Sequence, residues 1–155
     1  MSAGAGFIAP GALQLDSFEG EALVQVRVPA RSERLRIVRK FVEQVATLSG
    51  CGEACARDMV IAIDEACQNV IRHAYGGEEC GEFVLDIRRS DDRLIFNLID
   101  FAEPVDLSLV RPRNLDELRP GGLGTHFIRE CMDEAGFLAP PEGAGNRLQM
   151  SKRIE

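Results

Sequence analysis

A chain of 155 residues, 45% apolar and 28% charged, fits one globular domain of ordinary size with a real core. The net charge of −7 excludes a broad nucleic-acid-binding surface, which would need a basic patch, and no apolar run approaches a membrane span. Five cysteines, odd in number and without a CxxC pair, beside only two histidines, read as reduced and partly buried thiols rather than a metal site or a disulfide framework.

In chain order, residues 1–20 are rich in Gly, Ala and Pro and predict a loose tail, with the folded unit running over 21–155. The opening stretch has no basic region ahead of its short apolar bits, so it does not read as a signal peptide and a cytoplasmic protein is expected. ALVQVRV (22–28) alternates and predicts a strand. Ser32 is placed to cap a helix that runs to about Leu48 and stops at Gly50. A second helix is predicted from about Cys55 to Ala74. EFVLDIRR and RLIFNLID, joined by SDD, predict an antiparallel hairpin. Residues 101–122 hold three prolines and Arg111, Arg113 and Arg119 with little periodicity, and predict a long loop. A third helix is expected from Leu123 to about Glu134, and RLQMSKRI predicts the last strand. The order implies an α/β two-layer sandwich, a mainly antiparallel sheet covered on one face by three helices.

The second helix carries the unusual chemistry, in DEACQNVIRHAYGG (64–77). On a helical wheel Met59, Val60, Ile63, Ala66, Cys67, Val70, Ile71 and Ala74 form one apolar arc. Asp58, Glu65, Gln68, Asn69, Arg72 and His73 fall opposite. A solvated polar face would explain any one of these. Asn, however, is a poor interior helix residue because its amide competes with the backbone. Glu65, Asn69 and His73 also recur every four residues and so share one face. A carboxylate and an amide one turn apart can share a small site, the first to orient or deprotonate a hydroxyl and the second to hold a hard cation such as magnesium.

Two flanking pieces suit a nucleotide. Asp100 ends an apolar strand, where it is either a turn residue or an acceptor for an amino group such as adenine N6. Further on, RPGGLGTHFIRECMDE (119–134) sets Gly121, Gly122 and Gly124 ahead of an amphipathic helix. Such glycines are either a hinge or a backbone cradle for phosphates, with the loop arginines adding matched charge.

DEACQNVIRHAYGG, then LIDFAEP, then RPGGLGTHFIRECMDE resembles the Bergerat-type ATP-binding fold of the GHKL superfamily. Within it the likeness is to stand-alone anti-sigma-factor serine/threonine kinases, the RsbW-like group, over about residues 21–153. The resemblance implies that Glu65 polarises the attacking hydroxyl or water and Asn69 binds Mg2+. It implies that Asp100 contacts adenine N6, with Ala102 beside the base, and that Arg119, Gly121, Gly122, Leu123, Gly124 and Thr125 close over the ATP phosphates. The loop from about Glu103 to Pro120 would be the ATP lid. His73 and Tyr75 match family positions too, although helix-end packing explains them from the residues alone. Ala102 departs from the pattern, since the family has glycine there; a glycine allows close backbone approach or a positive φ.

The resemblance further implies partner switching. The protein would hold a sigma factor and phosphorylate a Ser/Thr of a small STAS-type antagonist, which phosphorylation would release. A homodimer is usual in this group, with the first strand and helix as the candidate interface. A non-catalytic ATP-sensing or nucleotide-free anti-sigma module is the alternative that Ala102 favours. A histidine-kinase catalytic domain would need a dimerising phosphoacceptor helix pair, and DNA-clamp or chaperone relatives need far longer chains.

Overall fold

The computed structural model describes residues 13–77, 81–104 and 123–155. Five strands form one antiparallel sheet in the order β1-β2-β3-β5-β4, with β1 Glu21–Pro29, β2 Glu82–Ser90, β3 Arg93–Asp100, β4 Glu134–Leu138 and β5 Asn146–Arg153. Helices α1 (Leu35–Leu48), α2 (Glu53–Asn69) and α3 (Leu123–Cys131) cover one face, as the element order implied. α2 is the middle helix, in contact with both α1 and α3.

The hairpin joins as expected, with Asp91 at its tip in the left-handed region that Asp tolerates (φ 54). α1 ends where Gly50 predicts. Gly50, at φ 104, donates its N–H to Thr47 O and Cys51 to Ala46 O, which closes the last turn of the helix. At its start, Ser32 opens a short 3-10 turn (Ser32–Arg34) and makes no capping bond. The Arg34 N–H is instead satisfied by Arg31 O.

Three expectations need correction. The second helix is α-helical only to Asn69, and Val70–Ala74 is a π-helical turn in which the Tyr75 N–H reaches Val70 O. The wider turn takes His73 off the row begun by Glu65 and Asn69. The third helix stops at Cys131, and residues 134–138 form β4, which sequence reading missed. Asp133 makes that turn possible: its N–H bonds Ser151 O and its carboxylate accepts the Arg153 N–H. Finally, residues 13–20 are not a loose tail. Leu13, Leu15 and Phe18 are buried on the sheet face opposite the helices, against Val84 and Ile99.

The core lies between helices and sheet. Met59, Ile63, Phe83, Leu85, Phe96 and Met150 are completely covered there, each removal from water contributing about 1.5–3 kcal/mol. Among the described residues no helix is long and apolar enough to cross a membrane.

Candidate functional site

The polar arc of α2 divides into two rows with different chemistry. One row is bonded along its length. Arg39 of α1 donates to Asp64 (2.8 Å), Gln68 donates to the other Asp64 oxygen (2.7 Å), and Arg72 donates to Gln68 (2.8 Å). The other row is Glu65, half-buried, and Asn69, only 8% exposed. Neither side chain makes a hydrogen bond or ion pair with any described residue. A uniformly solvated face would not cover an asparagine to this degree while leaving its side chain unbonded to any described residue. Asn69 was expected on the polar side; it is buried where α2 passes into the π turn. The amide oxygen is a suitable ligand for a hard cation that keeps most of its waters. Among the described residues no group of three or more His, Cys, Asp or Glu could hold a metal by itself.

The second part of the site is at the ends of β3 and β5. Register pairs Asp100 with Asn146. The Asp100 carboxylate, 4% exposed, accepts the Asn146 side-chain N–H (2.9 Å) and the Ala102 N–H (3.1 Å) on one oxygen. Asn146 also donates to Glu103 O (3.1 Å), and Gly145 N–H to Asp100 O (2.8 Å). Two loops are thereby drawn together around one carboxylate. They touch so closely that a Cβ on Gly145 would sit 1.8 Å from Ala102 O.

Ala102 is not among the positive-φ residues, so its methyl adds no backbone strain. Gly145, on the facing loop, is the glycine that lets the two loops approach each other, against Ala102 O. Sequence reading missed Asn146 and Gly145. The visible signal was a Gly-Asn pair opening the last strand, and its meaning depends on that strand lying beside Asp100.

Tyr75 ties the two parts together. Its hydroxyl donates to Glu82 O (2.6 Å) and accepts the Phe101 N–H (2.9 Å), so the end of α2 is fastened to the residue after Asp100. Burial and the nearby Asp100 charge raise its phenol, which stays protonated and able to donate. This is the packing role that the residues alone suggested. Gly81 fits against its ring, where a Cβ would be 2.3 Å from the nearest ring atom. His73 is exposed.

Leu123, Gly124 and Thr125 form the first turn of α3, which starts where the glycine cluster predicts. Arg111, Arg113, Arg119, Gly121, Gly122 and the lid segment from 105 to 120 lie outside the described residues. Among the described cysteines, Cys51, Cys55, Cys67 and Cys131 are free and buried. Burial and the neighbouring Cys55 push Cys51 up to about 12, and burial raises Cys67 as well, so both are inert thiols at neutral pH.

An antiparallel sheet covered on one face by helices, among the described residues, is the architecture of the ATPase-domain class. Residues 28–152 match the histidine kinase-like ATPase domain, and the chain belongs to that family, in its RsbW-like branch. A serine-protein kinase RsbW of Bacillus cereus is 30% identical over 140 residues, covering 85% of each chain. The serine-protein kinase RsbW of Halalkalibacterium halodurans is also 30% identical, over 85% of this chain and 83% of its own. The same fold occurs in a crystal structure of the RsbU and RsbW domains of a Mycobacterium tuberculosis protein. The TM-score there is 0.58 at 18% identity, over 85% of this chain and 33% of that one.

Proposed function

We propose that this chain is a protein serine/threonine kinase that transfers the ATP γ-phosphoryl group to a hydroxyl of a small STAS-type antagonist, and that it also sequesters a sigma factor. The observation that carries the reading is the unpartnered pair Glu65 and Asn69, set in the interior end of α2 beside a neighbouring row whose members are all bonded. Bonded residues serve the fold. An unbonded carboxylate and a buried amide one turn apart suit a ligand. Membership in a family whose relatives are named serine-protein kinases supports the same reading.

In the proposed reaction Asp100 accepts the adenine N6 amino group, its carboxylate oriented by Asn146 and the Ala102 N–H. Asn69 would hold Mg2+, which supplies charge neutralisation on the phosphates when bound. The backbone around Gly121, Gly122 and Gly124, with the first turn of α3 and Arg119, would bind the phosphates. Glu65 then orients the attacking serine or threonine hydroxyl and takes its proton as the new O–P bond forms and the bond from the γ-phosphorus to the β-phosphate oxygen breaks, releasing ADP. Catalysis would come mostly from positioning, since the transferred group needs little covalent help. Phosphate placed in the packed antagonist interface would release it. A cytoplasmic homodimer, joined through β1 and α1, is part of the proposal.

The test is Glu65→Gln, which keeps size and polarity but cannot accept a proton. ATP binding by calorimetry should stay within about twofold, while antagonist phosphorylation followed by mass spectrometry should fall ~10²-fold or more. A native protein that binds the antagonist and leaves it unmodified would overturn the kinase reading and leave a binding module. Equal rates for native and Glu65→Gln would remove this residue as the base.

A further inference from the structure

The segment before β1 is held on the outer face of the sheet by directed bonds. Arg88 donates to three carbonyls of this strap: Leu15 O (2.8 Å), Phe18 O (3.2 Å) and Gly20 O (3.3 Å). Its charge is balanced by Asp86 at 2.9 Å, and both side chains are nearly inaccessible. The Phe18 ring lies under the Arg147 guanidinium, 3.6 Å from its centroid, with Arg88 at 5.4 Å. Gly20, at φ 95, turns the chain into β1, and a Cβ there would meet Arg89 O at 2.9 Å. A passive tail would not be met by a buried cation and a stacked one.

What the strap touches matters more than how it is held. Side chains alternate across a strand, so the immediate neighbours of a site residue face the opposite side of the sheet. Ile99 and Phe101 flank Asp100, and Arg147 follows Asn146, while Ala144 lies in the loop that leads into β5. Ile99 is buried in one apolar cluster with Leu13, Leu15, Phe18 and Val84, Phe101 and Ala144 pack against that cluster, and Arg147 meets the strap through the Phe18 ring. Arg147 is fixed in turn by Asn97, whose side-chain oxygen accepts its Nε–H at 3.0 Å. Both strand ends that carry Asp100 and Asn146 are therefore backed on the far side by the cluster that the strap completes.

We infer that the strap, acting through Phe18, is a positioning element of the base-binding site: it fixes from behind the two strand ends that set the Asp100–Asn146 pair. The inference rests on the reading of Asp100 as the adenine acceptor. Phe18 would touch neither nucleotide nor metal. It would act by holding Arg147 and the 99–101 backbone in one register, so that the carboxylate meets an amino group rather than a carbonyl oxygen at the base edge. Its loss should therefore reduce discrimination between bases more than phosphate affinity.

The test uses the full chain and calorimetry with ATP and with GTP, both with magnesium. Native protein should prefer ATP. Phe18→Ala should lower the ATP-to-GTP affinity ratio by about fivefold or more, chiefly by weakening ATP. Phe18→Leu keeps apolar volume but removes the ring from Arg147, and should lower the ratio by about threefold. Phe18→Tyr keeps the ring and should hold the ratio within about twofold of native. A folded Phe18→Leu with the native ratio would overturn the inference and make the strap a cover only, with Asp100 still the base reader. Should Phe18→Ala fail to fold, the comparison of Phe18→Leu with Phe18→Tyr decides alone. Equal affinity of the native protein for ATP and GTP would overturn the Asp100 reading and this inference together.

Discussion

The two faces of the sheet are built by different physics, although the same strands make both. On β3, Phe96 turns toward the helices and is fully covered by the apolar core, while Asn97, the next residue, turns outward and is equally covered. Asn97 is held by bonds to Asp86, Arg147 and Gln149. The helix face gains stability from area removed from water, a term without direction. The outer face gains it from matched donors and acceptors, where an unmade bond costs more than a made one contributes. The core can accordingly tolerate changes of shape within limits, while the outer face tolerates only changes that leave no group unmatched.

Truncations should separate the two most sharply. Phe96→Ala should cost about 3–5 kcal/mol in urea denaturation, and adding Ile87→Val, its cross-strand partner, should cost roughly 1 kcal/mol more. Losses on the apolar face accumulate. Arg88→Met should cost a similar ~3 kcal/mol or more, because it leaves Asp86 buried without its cation. There, however, a second change should act differently: Asp86→Asn added to Arg88→Met removes the stranded charge, keeps an acceptor for the Asn97 N–H, and should recover part of the loss. A double variant no better than Arg88→Met alone would mean that the outer face follows the same area rule as the core. The smallest effect is expected at the seam between the faces. Tyr75→Phe removes the hydroxyl that joins Glu82 O to the Phe101 N–H, and should cost about 1–2 kcal/mol by the same denaturation measurement.

Reading the chain found what depends on near neighbours. Glu65 and Asn69 were visible because one helical turn relates them, and the β2–β3 hairpin because alternation and a two-residue tip are local signals. The start of α3 was visible from the glycines before it. Several features were not visible, each for a physical reason. β4 is EAGFL, too short to show alternation beside a helix that ends three residues earlier. The π turn at Val70–Ala74 carries an apolar pattern that an α-helix would serve equally well. Leu13, Leu15 and Phe18 stand among small residues with no period, and only the sheet beneath them makes them a cluster.

The sequence by itself determined the class of the protein: the order of elements apart from β4, the amphipathic middle helix, and the pattern of Glu65, Asn69 and Asp100 on which the family likeness rests. These follow from local periodicity and residue type, which the chain carries wherever it is placed. Only the tertiary structure decided which polar residues are committed to bonds within the fold and which are not. Asp64 and Gln68 proved bonded while Glu65 and Asn69 did not, and Asp100 gained Asn146, 46 residues away, as its partner. Hydrogen bonds of that kind depend on distance in space and on the exclusion of water, and neither exists until the strands have paired and the helices have covered them.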